Sequence, residues 1–323
     1  MAISVTDPIS SAIQRAKWIT FQPFDLGKWF TLGFCAFLGS LGQGGFNFNV
    51  PGGGGGGGSG GTTLPAGNPV DSVTGWISSH VVETALIAGL FVLALFSIAI
   101  LILWLSSRGH FMFMDGVANN TAEVAAPWKR YRRLGNSLFR FRIFIMGVFF
   151  LAIALIGGVA TALAWRDIQS NTFGAGAIAA LVVAILLVVP TFIAIILVDW
   201  CTVTFVTTIM YARDATVSVC WREFRQNVLN GHVGVFVLFL LMTFVLGMAV
   251  GIASMLLGCL TLCIGFLPYL SSVITLPLTV FMRSYSIYFL QQFNPEYAIM
   301  KDPPPPGIGF PVIMPPLPLP PTI

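Results

Sequence analysis

Long apolar runs alternate along the chain with short segments in which apolar and basic residues recur at helical spacing. Val81 to Leu105 and Ile143 to Trp165 are each long enough for one membrane helix, since crossing the hydrocarbon core takes about 20 apolar residues. Ala175 to Tyr211 exceeds one span and contains Pro190 and Asp199, so it predicts a kinked span that continues as a helix beyond the membrane. Val233 to Phe289 also exceeds one span, and Gly265 and Pro268 near its middle predict a helical hairpin. Trp29 to Phe48 is a shorter candidate, rich in small residues. The pattern therefore predicts an all-α membrane bundle with six spans, at about 29–48, 81–105, 143–165, 175–198, 233–257 and 266–289.

Between these runs lies a weak internal repeat. "APWKRYRRLGNSLFRFRIFI" begins at Ala126 and "VCWREFRQNVLNGHVGVFVL" at Val219. Both carry Trp, a basic residue, any residue, an aromatic and Arg, and both lead into an apolar span. Val124, Trp128, Tyr131 and Leu138 share one helical face, as do Val217, Trp221, Phe224 and Val228. Cations occupy the other faces: Lys129, Arg130, Arg132 and Arg133 in the first copy, Arg222 and Arg225 in the second. Aromatics on one side and cations on the other are expected of a helix lying in the headgroup zone of an anionic leaflet. "ISSAIQRAKWITFQPF" is a looser third copy, an interfacial helix predicted over 8–24 with Ile9, Ile13 and Ala16 on its apolar face. Each unit thus reads as an interfacial helix followed by two spans.

Charge settles the expected orientation. Six spans put both termini on one side, and that side holds fifteen of the sixteen Lys and Arg residues, leaving only Arg166 on the other. Such asymmetry marks the cytoplasmic face. The expectation is a bacterial inner-membrane protein with both termini cytoplasmic, and no secretory signal is evident ahead of Trp29. Composition agrees: 56% of residues are hydrophobic and 9% charged, against about 25% charged in soluble domains. A net charge of +4 gives no reason to expect nucleic acid.

Two low-complexity segments take their meaning from this topology. "PGGGGGGGSGG" at 51–61 falls in a predicted extracytoplasmic loop, 49–75. A phosphate-binding loop needs a Lys and a Ser or Thr after its last glycine, and no lysine occurs between Lys28 and Lys129. The run reads as a flexible connection that buries nothing. The proline-rich tail, within 298–323, cannot form a helix and reads as a disordered cytoplasmic segment able to dock a protein partner in a polyproline conformation. The remainder, 1–297, is the membrane domain.

Candidate chemistry is sparse. His80, His110 and His232 lack metal-ligand spacing, no nucleophile elbow is present, and the five cysteines form no CxxC pair. Neither a metal nor a cofactor is expected. Gly247 and Gly251 form a GxxxG that permits close helix contact. Three charges embedded in apolar sequence stand out: Arg108, Asp199 and Arg283. Charges at such depth face a bundle interior and pair, so Asp199 is expected to bridge Arg108, Arg283 or both. A leftover Arg would hold a lipid phosphate or another anion.

"KWFTLGFCAFL", "RGHFMFMDGV", "APWKRYRRLGNSLF" and "FMRSYSIYFLQQFNPEY" resemble an uncharacterised family of bacterial six-helix membrane proteins. Its broader architecture resembles the membrane domain found beside glycerophosphodiester phosphodiesterases. The resemblance covers roughly Ile9 to Tyr297 and implies an architecture, with no transferable activity. The expected function is a non-catalytic scaffold or accessory protein at the cytoplasmic leaflet, in contact with anionic membrane lipids. The alternative is a transporter or channel for lipids or small amphiphiles.

Overall fold

A computed structural model describes residues 3–22, 24–41, 81–170, 174–261 and 267–300. The predicted Gly-rich loop, nearly all of the Pro-rich tail and His80 lie outside the described residues, as do residues 42–48 of the first predicted span.

Every regular element among the described residues is helical. In chain order these are α1 (Asp7–Phe21), α2 (Leu26–Ser40), α3 (Val81–Asn119), α4 (Ala125–Arg130), α5 (Arg132–Gln169), α6 (Ala175–Cys201), α7 (Thr207–Arg213), α8 (Val217–Phe224), α9 (Val233–Leu260), α10 (Pro268–Ile274) and α11 (Leu276–Gln291). Two π-helical segments interrupt the series, Thr202–Val206 between α6 and α7, and Arg225–Leu229 after α8. The first joins α6 to α7 without a turn. Four stretches are long and apolar enough to cross a membrane: Val82–Asn119, Arg132–Gln169, Ala175–Arg213 and Val233–Leu260. Helices satisfy their own backbone groups, which a hydrocarbon solvent requires.

Of the remaining two predicted spans, the first is described only as far as Leu41, with 15 helical residues in α2. The last is divided at Thr275, where Pro277 enters the first turn of α11 and supplies no N–H to continue the ladder. Its pieces, 7 and 16 residues long, are each shorter than one bilayer crossing. Pro190 leaves α6 continuous, and Thr191 donates its hydroxyl to the Leu187 carbonyl in the same turn.

Burial divides the molecule at one level. In α3 the side chains are exposed up to Leu101, then buried from Ser106 to Ala118. In α5 the order reverses: Leu134, Leu138 and Arg142 are buried, and Phe144 and most residues beyond face outward. In α6, Ile196 and Leu197 are exposed, whereas Cys201 and the following π-segment are buried. The buried half is a core in which Phe205, Phe224, Phe239, Tyr285 and Phe289 pack ring against ring, at centroid separations of 4.0–6.2 Å. α11 runs through this core and packs on α1. In the other half, Leu90 and Leu186 are each 70% exposed. An apolar surface of this extent, on helices long and apolar enough to cross a membrane, suits lipid as its solvent.

Small residues let α2 and α3 meet. A Cβ at Gly109 would overlap the backbone at Leu38 and Gly39. Ser106 Oγ donates to the Gly39 carbonyl at 2.7 Å across the same crossing.

Candidate functional site: a cationic cavity at the junction of core and spans

The three embedded charges occupy three separate environments, which corrects the expected bridge. Asp199 pairs with Arg142, a residue whose place in the sequence groups it with the flanking charges. Arg142 Nε donates to Asp199 Oδ1 at 3.0 Å and Nη2 to Oδ2 at 3.3 Å, while Nη1 reaches Ser106 Oγ at 3.4 Å. Arg142 is 3% exposed at its side chain and Asp199 35%. The two-pronged geometry matches the planar guanidinium to the carboxylate. A sequence signal for Arg142 does exist: it follows Leu134 and Leu138 at intervals of four, and so shares their buried helix face.

Arg108 is stacked instead of salt-bridged. Its guanidinium lies 4.3 Å from the Trp104 ring centre and 4.8 Å from that of Trp128, with Nη2 donating to Asn136 Oδ1 at 3.1 Å. Attraction to two ring faces compensates part of the lost hydration. Gly135 provides the room, because a Cβ there would come within 2.8 Å of Arg108 Cγ.

Arg283 takes neutral partners. Nη1 donates to the carbonyls of Val203 and Thr204 at 2.8 and 3.3 Å, and Nη2 to Thr207 Oγ1 at 2.8 Å. The two carbonyls belong to the π-segment, where the change from i→i+4 to i→i+5 pairing disrupts the ordinary ladder. Sequence period does not reveal this device, since a single-residue register change leaves no periodic trace. Among the described residues no carboxylate lies within ion-pair distance of Arg283, so its full charge remains uncompensated.

That charge borders a cavity of about 280 Å³. Gly39 and Ser40 of α2, His110 of α3, Trp200 and Thr204 of the α6 side, Thr243 of α9 and Ser286 of α11 contribute to its wall. His110 Nε2 and Thr243 Oγ1 are buried without a hydrogen-bond partner. Two further cavities of about 520 Å³ each lie on either side of α6. One is lined by Leu103, Met146, Phe149 and the Arg142–Asp199 pair, the other by Leu240, Phe244, Gly247, Met248 and Met282. Trp200 borders all three.

The aromatic residues predicted to contact lipid are turned inward. Tyr131 and Phe224 are buried, Trp128 packs on Arg108 and Trp104, and Trp221 donates from Nε1 to Thr202 Oγ1 at 3.0 Å. An apolar stripe of helical period needs an apolar neighbour, and a protein core meets that need as well as a bilayer does. Lys129, Arg130, Arg132, Arg133, Arg222 and Arg225 are exposed. α1 also ends at Phe21 instead of reaching residue 24. It buries Ala12, Ala16 and Ile19, and leaves Ile13 and Phe21 outward.

Two polar networks brace the core. Asp115 Oδ1 accepts from Tyr131 Oη, Tyr211 Oη and Asn119 Nδ2 at 2.7, 2.8 and 2.9 Å. Burial, with the bonds to Tyr211 and Asp115, pushes the Tyr131 hydroxyl well above its ordinary range, so it remains a donor. Arg213 binds Glu223 at 2.9 Å and Glu296 at 2.5 Å, and Tyr297 donates to Glu223 at 2.7 Å. Burial foremost raises the Tyr297 hydroxyl to about 12. No group of three His, Cys, Asp or Glu able to hold a metal occurs among the described residues.

The model of a family described as "Family of unknown function (DUF7544)" matches residues 3–270. No curated protein and no solved structure matches the chain.

Proposed function

The chain belongs to the DUF7544 family of unknown function, and from that premise we propose that it is a non-catalytic integral membrane protein that holds an anionic lipid headgroup at Arg283. The carrying observation is the guanidinium of Arg283, without a carboxylate partner among the described residues, beside a cavity whose wall includes the polar residues His110, Thr243 and Ser286. A charge in an apolar helix costs about 2.5–3.5 kcal/mol on insertion scales, so an embedded cation that borders a cavity is a candidate ligand site. A phosphate oxygen would supply the missing opposite charge.

In this proposal α2 and the α10–α11 pair join the four long helices to complete six crossings of a bacterial inner membrane, with the packed core and both termini toward the cytoplasm. The distribution of Lys and Arg supports that orientation. The likeness to the membrane domain beside glycerophosphodiester phosphodiesterases belongs to the same architectural reading.

A second reading, a scaffold at the cytoplasmic leaflet, is favoured by the exposed cations Lys129, Arg130, Arg132, Arg133, Arg222 and Arg225. They are placed to meet anionic headgroups, with the Pro-rich tail available to a protein partner. Native mass spectrometry of purified protein titrated with phosphatidylglycerol or phosphatidylcholine separates the two. Arg283→Gln should lower phosphatidylglycerol retention about tenfold and leave phosphatidylcholine unchanged. Loss of retention on neutralising Arg222 and Arg225, with Arg283→Gln silent, would replace the cavity by the surface.

A further inference from the structure

We propose that the occupant of the Arg283 site is a two-chain phospholipid that straddles α6, its phosphate at Arg283 and one acyl chain in each of the two apolar cavities. The proposal rests on the headgroup reading above and adds the identity of the rest of the molecule.

The argument begins with shared walls. The cationic cavity and the α9-side cavity have Thr243, Met282 and Trp200 in common. The α9-side and α5-side cavities have Ile196 and Trp200 in common. One residue, Trp200, thus lines all three, and the two larger spaces draw their other walls from α3 and α5 on one side and α9 and α11 on the other. Apart from the ion pair in one and Thr243 in the other, both larger spaces are walled by apolar residues. Their volumes are equal, about 520 Å³, and each exceeds that of the cationic cavity, about 280 Å³. A compact polar group with two apolar branches of similar size fits this division. A single-chain amphiphile leaves one space to be filled by bulk lipid, and a small anion leaves both.

Chemistry assigns the polar end. The smallest of the three is the one whose wall includes the cation without a counter-ion, with the polar residues His110, Thr243 and Ser286 around it. A threonine or serine hydroxyl, or an imidazole N–H, turned toward this space would donate to a phosphate oxygen. In the α5-side cavity Arg142 is already neutralised by Asp199, so that space offers no second anion site. A lipid with one anionic centre is therefore accommodated, with its second chain passing over the internal ion pair.

The experiment uses the full chain, purified and delipidated, with dioleoyl phosphatidylglycerol and its one-chain lyso form as probes in native mass spectrometry. Wild type should retain the two-chain lipid about tenfold more tightly than the lyso form. Gly247→Phe fills the α9-side cavity from a position where an added Cβ meets nothing within 4 Å, and Met146→Trp fills the α5-side cavity. Each should reduce two-chain binding to the lyso level while altering lyso binding by less than about twofold, because one chain retains a free cavity. Two-chain binding that is insensitive to either filling overturns the straddling lipid. If Arg283→Gln leaves both probes bound as in wild type, the headgroup reading has failed. If Arg283→Gln releases both probes and only one filling matters, that reading stands and the two-chain inference falls. A measurement independent of variant folding uses phosphatidylglycerol with a diazirine on both chains. Irradiation of the wild-type complex should join residues 142–149 to residues 240–248 through one lipid, and labelling confined to one segment contradicts the proposal.

Discussion

α3 is two helices in one with respect to what surrounds them. Over residues 82–101 nearly every side chain is exposed, including Leu86, Leu90 and Phe91. Over residues 106–118 nearly every side chain is buried, including Ser106, Ser107, Arg108 and Asp115. The polar residues are thus concentrated in the packed half and the apolar ones in the open half, the reverse of a water-soluble protein. The reason is the solvent. Lipid tails are as apolar as Leu, so burying Leu against another helix gains no hydrophobic free energy, and packing is directed by polar pairing and close approach of small residues.

Four single substitutions and one double variant test this contrast. The largest effect is expected at the ion pair. Asp199→Leu leaves Arg142 buried beside a single serine, and removing one partner of a buried pair typically costs about 3–5 kcal/mol. Partial exposure of Asp199 places the expectation near the lower end. The double variant Arg142→Met, Asp199→Leu should recover most of the lost thermal stability in detergent. A double variant no better than the single would show that the pair is not the coupled unit.

Leu138→Ala, at a position 0% exposed in the core, should cost about 2–4 kcal/mol through lost contact and residual cavity. Tyr131→Phe removes one of the three bonds to Asp115; hydrogen bonds to charged groups contribute about 1.5–3 kcal/mol. The smallest effect belongs to Leu90→Ala, a change of the same chemistry as Leu138→Ala in the open half, expected within about 0.5 kcal/mol of wild type. Equal losses at Leu90 and Leu138 would break the comparison and show that another protein surface covers the open half of α3.

Part of this architecture is legible in the sequence. The four long helices follow from apolar length alone, a signal set by membrane thickness and independent of neighbours. The last predicted crossing is harder to read, because the final segment is divided beside Pro277. The site is half legible. That Arg283 turns inward follows the rule for embedded charges, but the partner of Asp199 does not. Arg142 sits in "FRFRIFI", where composition counts it with the flanking cations and only helical phase separates it from Arg140. The aromatic stripes at Trp128 and Trp221 show the same limit. Period reveals which residues share a face, and tertiary contact decides what that face meets.

The π-segment at Thr202–Val206 bears on how tolerant this chain is of change in length. One residue in an α-helix corresponds to about 100° of rotation. A π-turn holds one residue more than an α-turn, so the segment absorbs that residue locally and leaves Asp199 and Trp200 in the phase with Thr207, Ile209 and Met210 that an unbroken α-helix would give. Removing a single residue from 202–206 would regularise the helix with both flanks in place, but it would return the carbonyls of Val203 and Thr204 to the helical ladder and take them from Arg283. A one-codon deletion elsewhere in the rod has no such slack and would turn one flank against the other. The segment is thus a length buffer whose surplus residue serves as the seat of a cation.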